Sequence, residues 1–397
     1  MAKSILSEEV WPEAKALLLQ GDDLAGPKNE YKKKVMDRLL ENARVALMEN
    51  AAVTSTTAGN IATLNKVILP VIRRVMPTVI CNEIIGVQPM TGPVGQISTM
   101  RVRYAQTAGS PNPVTAGSEA LSPFDIAKFY SGNLNSTTPG ASEVASLEGT
   151  VGNRLNIQVV KETVEAKTRR LSAQWTFESA QDAQSQYGID IEAEIMGALA
   201  QEITAEIDQE ILFSLRSLAG SPTVTFDQNS LTGVATFVGD EHAALASLIN
   251  RQANLIAQRT RRGAGNWAVV SNAALTVLQS ARTSAFARTT EGTFEAPTNT
   301  KYVGTLNNTM RIYVDSYAAD STVVLVGYKG NDTDAAAFFC PYIPLMSTGV
   351  VIDPNTFQPT TGFMTRYGYL ELTNTSSSLG NAADYVGAIG VANLRFS

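Results

Sequence analysis

The chain is poor in the residues from which catalytic and metal sites are built. Among its 397 residues it has one histidine, His242, and two cysteines, Cys81 and Cys340. One histidine excludes histidine-rich metal sites and leaves a single conceivable Ser/His/Asp arrangement. Neither a G-x-S-x-G nucleophile motif nor a Walker-type phosphate loop occurs. The sequence therefore predicts no catalytic residue, no metal ligand and no cofactor.

Long apolar runs and positive charge are also scarce. No stretch of about 18 apolar residues is present, and the N-terminus lacks the apolar core of a secretory signal, so we expect no membrane association. The chain has 31 Lys and Arg against 37 Asp and Glu, a net charge of -6. This balance disfavours general affinity for nucleic acid, because phosphate contacts need clustered basic side chains. We expect a globular protein of a reducing cytoplasm, with both cysteines as buried thiols.

A narrow apolar stripe at helical spacing runs through the charged N-terminal region. Its members are Tyr31, Val35, Leu39, Ala43 and Ala46. A helix this polar, outside any obvious core, is expected to be stable only against a partner, such as the same region of a neighbouring chain. The first 60 or so residues are therefore interpreted as an arm. A helical pattern follows over residues 61–80, interrupted by Pro70 and Pro77.

Two extended segments flank a long stretch with few apolar anchors. The segment 96–104 alternates as a strand does, and a second extended run covers residues 155–177. Between them, residues 105–152 are mainly Gly, Ser, Thr, Asn, Pro and Ala, and a connection of this length is uncommon in a compact domain. The pattern predicts a two-stranded arm, which needs a neighbour because it cannot bury its own surface.

The strongest helix signal repeats an apolar residue every four positions from Ile191 to Leu215. The same segment carries seven acids: Asp190, Glu192, Glu194, Glu202, Glu206, Asp208 and Glu210. Metal ligation or paired-carboxylate catalysis is disfavoured, because most of these acids lie on different faces and no histidine accompanies them. We expect them to face basic residues of this chain or of the next, namely Lys161, Lys167, Arg169 and Arg170.

A smaller α/β unit is predicted over residues 232–335. Its pattern is a helix over 240–258, a strand over 267–270, a helix opening at Ser271 or Asn272, and strands over 310–314 and 322–326. His242 is expected to be a solvated residue in the first turn of the first helix. The cluster Arg259, Arg261 and Arg262 is interpreted as that helix's C-terminus before a glycine stop, rather than as a phosphate patch. Strands over 335–343, 350–352 and 362–372 follow, separated by prolines.

Five segments resemble one family in order and spacing, over roughly residues 60–370. They are PVIRRVMP at 70–77, GVQPMTGPVGQ at 86–96, VEAKTR at 164–169, FCPYIPL at 339–345, and FQP at 357–359 with TRYG at 365–368. Each is similar to the major capsid proteins of tailed bacteriophages with the HK97-type fold, in the branch of the large contractile-tailed phages. The resemblance implies a shell protein of the virion, assembled in the host cytoplasm.

The resemblance also implies an α+β fold with a defined order of parts. These are an N-terminal arm (1–66), the first part of the peripheral or P-domain (67–96), the extended E-loop (97–160), the P-domain with a spine helix at 189–218 (161–231), the inserted axial or A-domain (232–335), and the returning strands and C-terminal tail of the P-domain (336–397). Hexamers and pentamers of the chain would enclose double-stranded DNA without sequence-specific binding. Portal, vertex, cement or scaffolding proteins are the further partners implied.

Ten charged residues are candidates for subunit contacts. They are Arg73, Arg74, Lys128, Lys167, Arg169, Arg170, Glu202, Glu206, Glu210 and Arg366. Lys128 is the only lysine of the E-loop, and we interpret it as a solvated charge rather than as a crosslinking residue. Two other functions stay open at this point: a nanocompartment shell of the same fold with enzyme cargo, and a hydrolase using His242 or the acidic helix. Removal of residues 1–50 on maturation is also left open.

Overall fold

A computed structural model describes most of the chain beyond residue 80. The described residues are Pro12, 34–42, Val45, 80–107, 114–118, Ala120, Tyr130, Val144, Glu148, 152–187, 190–230, 238–260, 262–281, 286–288, 301–332, 334–347, 349–353, Thr356, 358–372 and 382–394. Most of the predicted arm, the helical pattern at 61–79 and most of the stretch 105–152 lie outside these residues. Within them, helices and strands are both abundant, and the α+β class is confirmed.

The elements are numbered in chain order from Cys81 onward. The helices are α1 (Cys81–Ile84), α2 (Phe177–Tyr187), α3 (Ile191–Ala219), α4 (Val238–Thr260) and α5 (Asn272–Ser280). The strands are β1 (Gly86–Val87), β2 (Val94–Tyr104), β3 (Leu155–Glu165), β4 (Lys167–Gln174), β5 (Val224–Asp227), β6 (Trp267–Ser271), β7 (Phe286–Arg288), β8 (Lys301–Leu306), β9 (Met310–Asp315), β10 (Val324–Gly327), β11 (Ala337–Ser347), β12 (Val351–Ile352), β13 (Pro359–Glu371) and β14 (Val386–Ala392).

Helix α3 is the central element of the body. It begins where the Asp190 side chain accepts a hydrogen bond from the Glu192 amide, and it ends at Gly220, whose φ of 68° favours glycine. Its four-residue apolar repeat winds slowly around the helix, so α3 can contact more than one layer. One continuous core accordingly includes α3, Phe363 of β13 and Trp267 of β6. The helix predicted over 189–218 is this element, with bounds Ile191–Ala219.

The first sheet packs on one side of α3. Its strand order is β1-β11-β13-β12, and β4 pairs antiparallel with β13 over Lys167–Gln174. The prolines Pro341 and Pro344 were expected to separate strands, but both lie inside β11. The pairing with β13 shifts register between Pro341 and Ile343 and again between Ile343 and Leu345. A proline lacks the amide that a regular ladder needs, so these irregularities accommodate the prolines without ending the strand.

The second sheet packs on the other side of α3 and has the order β5-β14-β10-β6-β9-β8-β7. Its other face packs against α4 and α5 in a second core that includes Ile249, Val277 and Ile389. A Cβ at Gly327 would overlap the Trp267 ring, so this glycine permits the contact between β10 and β6. The layers are therefore first sheet, α3, second sheet, then α4 with α5.

The second sheet corrects a predicted boundary. The α/β unit was assigned to residues 232–335, and residues 336–397 were given to the first unit. Strand β14 instead lies between β5 and β10, with Val386, Ala388 and Ile389 buried. The apolar run Val386–Ala392 is stable there because strands pair with it on both sides. The unit around the second sheet thus includes β5 and β14 as well.

The helical segment 34–42 corrects the expectation of an arm that needs a partner. Its side chains Val35, Met36, Leu39 and Leu40 are buried in the same core as α3. The Asn42 side chain donates hydrogen bonds to the carbonyl oxygens of Met90 and Tyr342, at 2.9 and 2.8 Å. For these nine residues, the prediction was wrong because the apolar stripe packs on the body of its own chain.

Candidate functional site

Near its tip, the two-stranded ribbon of strands β2 and β3 has one apolar and one polar face. Directly opposed residues share a face, and the pairs Val102–Ile157 and Tyr104–Leu155 lie on the same one. On β3 this face carries Leu155, Ile157 and Val159, which are 49%, 69% and 56% exposed. We call these three residues the apolar row. The opposite face carries Asn156 and Gln158, so the ribbon is amphipathic.

The body of the chain covers the other face of the ribbon at its base. Val164, which points away from the face of the apolar row, is buried against Met90, Phe338 and Cys340. A Cβ at Gly368 would lie only 3.0 Å from the Val164 side chain, so the glycine allows β13 to approach β3 closely. Val94, on the same face as the apolar row, remains exposed. The body therefore leaves the face of the apolar row open.

Residues near the tip extend the ribbon on the side of β2. The Tyr104 amide donates to the Ser118 carbonyl oxygen at 3.0 Å, and the Ala120 amide donates to that of Val102 at 2.8 Å. Tyr104 is buried beside Val114 and Ala120 in a small cluster of its own. This cluster covers the β2 side of the apolar face and leaves the apolar row on β3 exposed.

A charged cluster ties α3 to the first sheet. The Arg169 guanidinium on β4 donates through Nη1 to Glu206 at 2.6 Å and through Nη2 to Glu210 at 2.7 Å, while its Nε donates to the Tyr367 hydroxyl at 2.5 Å. Tyr367 in turn donates to Glu210. Partial burial opposes ionisation of Glu210, but the hydrogen bonds from Tyr367 and Arg169 hold the pKa of its carboxyl below the ordinary value. The cluster fixes β4 and β13 in register on α3.

Replacing Arg169 by Ala is expected to lower the free energy of unfolding by about 1 kcal/mol, because its two ion pairs, one to each glutamate, are partly exposed and screened by solvent. Ionised Glu210 adds to the free energy of unfolding at neutral pH, because the pKa of its carboxyl is lower in the folded chain than in the unfolded one. This stabilisation is lost as pH falls below the unfolded pKa, near 4.3, because the folded carboxyl then also takes up a proton. Urea unfolding of the unassembled chain, with a double-mutant cycle of Arg169→Ala and Glu210→Gln, measures the coupling. A cycle that gives no coupling energy at pH 7 would contradict a stabilising role.

The other candidate residues that the structure describes lie on the same strands and helix as this cluster. Lys167 and Arg170 are exposed on β4, and Glu202 is exposed on α3. The Arg366 guanidinium lies over the Tyr342 ring, 5.4 Å from its centroid. The structure thus brings Arg169, Glu206 and Glu210 together within the chain, and Lys167 lies near enough to lower the pKa of the Glu210 carboxyl further. Arg73, Arg74 and Lys128 lie outside the described residues.

Two carboxylates, Asp208 of α3 and Asp315 of β9, are buried, although Asp208 was expected to face basic residues. Asp208 accepts a hydrogen bond from the Ile80 amide through Oδ1 at 3.0 Å, and its Oδ2 has no partner among the described residues. Asp315, at the end of β9, accepts from Arg216 and Gln209, each at 2.8 Å. Burial and the nearby Asp315 carboxylate raise the pKa of Asp208 to about 7. Thr204 and Leu212 lie one helical turn before and after Asp208, and both are buried. Their positions indicate that the Asp208 side chain also points inward.

His242 is buried, which corrects the expectation of a solvated residue. Helix α4 begins at Val238, so His242 lies beyond the first turn. Its Nδ1 is 2.6 Å from the Ser280 hydroxyl oxygen of α5. That hydroxyl also lies within hydrogen-bond distance of the carbonyl oxygens of Thr276 and Val277, so its proton is engaged by the helix backbone. The pair joins two helices rather than presenting a nucleophile.

The cysteines match their prediction. Cys81 and Cys340 are both buried and free, and burial raises the pKa of both thiols, that of Cys340 to about 12. Within the described ranges, no group of three or more His, Cys, Asp or Glu is placed to hold a metal ion. No helix in the same part of the chain is long and apolar enough to cross a membrane.

A layered α+β body with an exposed apolar row on a ribbon is typical of a subunit that a neighbouring chain completes. The model of the family "Major capsid protein Gp23" matches residues 61–391. The chain therefore belongs to the Gp23 family of bacteriophage major capsid proteins, and the predicted resemblance is confirmed. It is a structural protein of the virion that forms the shell of the phage head.

Individual relatives agree with this family. The major capsid protein of Vibrio phage KVP40 is 28% identical over 429 residues, covering 84% of this chain and 82% of the relative. That of Enterobacteria phage T4 is 27% identical over 400 residues, covering 79% and 76%. Among solved structures, the capsid of Myoviridae phage XM1 covers 77% of this chain and 90% of its own at 10% identity, with a TM-score of 0.44.

Proposed function

We propose that the ribbon of each subunit lies across the next subunit of the shell and holds the shell together. The observation that carries this proposal is the exposed apolar row on β3 of the ribbon. A two-stranded ribbon is at best marginally stable in water, and full burial of each large aliphatic side chain is worth about 1.5–3 kcal/mol. A neighbouring subunit can supply that burial, and the contact is repeated at every position of a closed shell.

The parts of the chain then take the roles that the resemblance implies. Residues 97–160 act as the E-loop, and the first sheet with α3 acts as the P-domain of an HK97-type subunit. The A-domain consists of residues 232–335 together with β5 and β14, which share its sheet. In this arrangement hexamers form the faces of an icosahedral head and pentamers its vertices. Arg366 and the exposed charges Lys167, Arg170 and Glu202 are candidates for setting register between subunits.

The head encloses double-stranded DNA without sequence-specific binding, a role that the net charge of -6 supports. A portal protein and vertex, cement or scaffolding proteins complete the set of partners. The chain performs no catalytic step in this role, since Ser280 beside His242 is engaged by its own helix and Glu206 and Glu210 are paired with Arg169. No observation favours the nanocompartment, and the family match speaks against it.

Electron microscopy of the purified chain tests the proposal directly. We expect closed icosahedral or tubular particles under conditions that promote assembly, and phage DNA inside particles purified from infected cells. Monodisperse monomers under all assembly conditions would contradict self-assembly. Particles that contain an enzyme and no DNA would instead point to the nanocompartment.

A further inference from the structure

The face of the first sheet that points away from α3 carries two arginines and no carboxylate of its own strands. Its exposed residues on β4 are Thr168, Arg170, Ser172 and Gln174, which lie opposite Arg366, Met364, Gly362 and Thr360 of β13. The five strands, all within the described ranges, contain a single carboxylate, Glu371, which lies on the α3 side and accepts a hydrogen bond from the Tyr369 hydroxyl. In a chain with a net charge of -6, this face is therefore locally positive. We call Thr168, Arg170, Ser172, Gln174, Thr360 and Arg366 the basic face.

The two adjacent arginines of β4 differ in how their charge is balanced. Arg169 points toward α3 and pairs with Glu206 and Glu210. Arg170 points the other way and is exposed, and its guanidinium makes no ion pair or hydrogen bond with another described residue. Arg366 is its diagonal neighbour across the strands, about 7–8 Å away. Because two cations at this separation repel each other, the pair fits an anionic partner.

The Arg366 side chain is held in place without a counter-charge. It is half-buried, and its guanidinium lies over the Tyr342 ring, which packs on a cluster that includes Met90 and Val164. Its Nε is buried and has no hydrogen-bond acceptor among the described residues. A guanidinium has five N–H donors and stays charged at any physiological pH. An anion bound from outside would supply the acceptors that this side chain lacks.

The composition of the basic face is that of a phosphate-binding surface rather than of a protein interface. Arginine, serine, threonine and glutamine are side chains that donate hydrogen bonds to phosphate oxygens. The exposed row from Thr168 to Gln174 extends about 20 Å along β4 and contains no aromatic or aliphatic side chain. The centre of a protein–protein interface needs such apolar anchors, whereas interfaces with DNA are polar and positively charged.

We propose that the basic face is turned toward the interior of the head and contacts phosphates of the enclosed double-stranded DNA through Arg170 and Arg366. This inference rests on the proposed function and adds to it a site for DNA and an orientation of the subunit in the shell. The contact reads no sequence, because phosphates are the same at every base pair. Lys167 and Glu202 then remain as the described candidates for setting register between subunits.

Binding of the unassembled full chain to a short DNA duplex tests the phosphate contact. Fluorescence anisotropy gives the affinity at a series of low salt concentrations, and each phosphate contact adds about 0.9 to the slope of log affinity against log salt concentration. We expect Arg170→Gln to lower this slope by about 1, and Arg170→Gln with Arg366→Gln to lower it by about 2. Arg170 is exposed, so its variant should keep the unfolding midpoint of the unmodified chain.

A matched variant separates a local contact from the loss of one positive charge. Arg251 is exposed on α4, outside the basic face, and Arg251→Gln makes the same chemical change. Its slope should equal that of the unmodified chain. An unchanged slope in Arg170→Gln, or an equal loss in Arg251→Gln, would overturn the assignment of the basic face to DNA.

Photocrosslinking in DNA-filled particles tests the orientation. A photoreactive maleimide label on Ser172→Cys is expected to attach nucleotides to the chain on irradiation, detected as added mass after nuclease digestion. The native cysteines are buried and should not take the label. The same label on Ser217→Cys, exposed on α3, should give much less product. DNA-filled particles in which the label at position 172 reacts only with protein would overturn the inference and leave the proposed function intact. Failure of the unmodified chain to form particles would instead contradict the proposed function.

Discussion

The Ile157→Asp variant is expected to stay unassembled at concentrations at which the unmodified chain forms shells. In the proposed contact the change removes about 1.5–3 kcal/mol of apolar burial and adds the desolvation of a carboxylate, about 2 kcal/mol or more. Each subunit contact should therefore weaken by at least about 100-fold. Light scattering against protein concentration, with electron microscopy of the end point, measures the shift in the concentration required for assembly.

The design separates an interface defect from a folding defect. Ile157 is 69% exposed, so the variant should keep the far-ultraviolet circular dichroism and unfolding midpoint of the unmodified chain. Gln158→Asp introduces the same charge one residue later, on the opposite face of the ribbon, and should assemble normally. Shells of Ile157→Asp at the unmodified concentration would show that the apolar row is not a subunit contact.

Elements with a strong local period could be predicted from the sequence. Helix α3 repeats an apolar residue every four positions from Ile191 to Leu215, and a pattern of this length favours a helix because strands are usually much shorter. The ribbon was recognisable because two extended runs flank a stretch that lacks apolar anchors. The family itself was recognisable from short segments such as FCPYIPL at 339–345, whose prolines lie at irregular positions of β11.

Features that depend on distant pairing could not be predicted from local patterns. The run Val386–Ala392 has the composition of a buried strand, but only its neighbours β5 and β10 show which sheet it joins. The stripe at 34–42 marks an apolar helix face without identifying its partner, which is the core of its own chain. Asp208 was expected to face basic residues and His242 to be solvated, but both are buried, because burial of a polar side chain is decided by the element packed on it.

The replacement of Asp208 by Asn is expected to remove a pH dependence of stability. The folded carboxyl has a pKa of about 7, whereas an unfolded aspartate ionises near 3.9. Between these values the folded state holds a proton that the unfolded chain releases, so unfolding becomes more favourable as pH rises. Relative to Asp208→Asn, the unmodified chain should lose about 3 kcal/mol of unfolding free energy between pH 5 and pH 8. Above pH 8 the two should differ by a constant amount.

Urea unfolding of the unassembled chain at pH 5, 6, 7 and 8 measures this loss of unfolding free energy. The surroundings of Asp208 allow the pH dependence to be assigned to this residue. Asparagine keeps an oxygen that can accept a hydrogen bond from the Ile80 amide, so this hydrogen bond is kept while the charge is removed. The other charged groups near this junction already have partners. Asp315 pairs with Arg216, and the Lys329 ammonium contacts the Asn82 carbonyl oxygen and the Asp332 carboxylate. Glu202→Gln removes an exposed charge from the same helix and should leave the pH profile unchanged.

Parallel profiles for Asp208→Asn and the unmodified chain would mean that Asp208 ionises normally in the folded state. A profile that flattens only in Asp208→Asn would show that the junction between α1 and α3 is most stable while this buried carboxyl holds its proton.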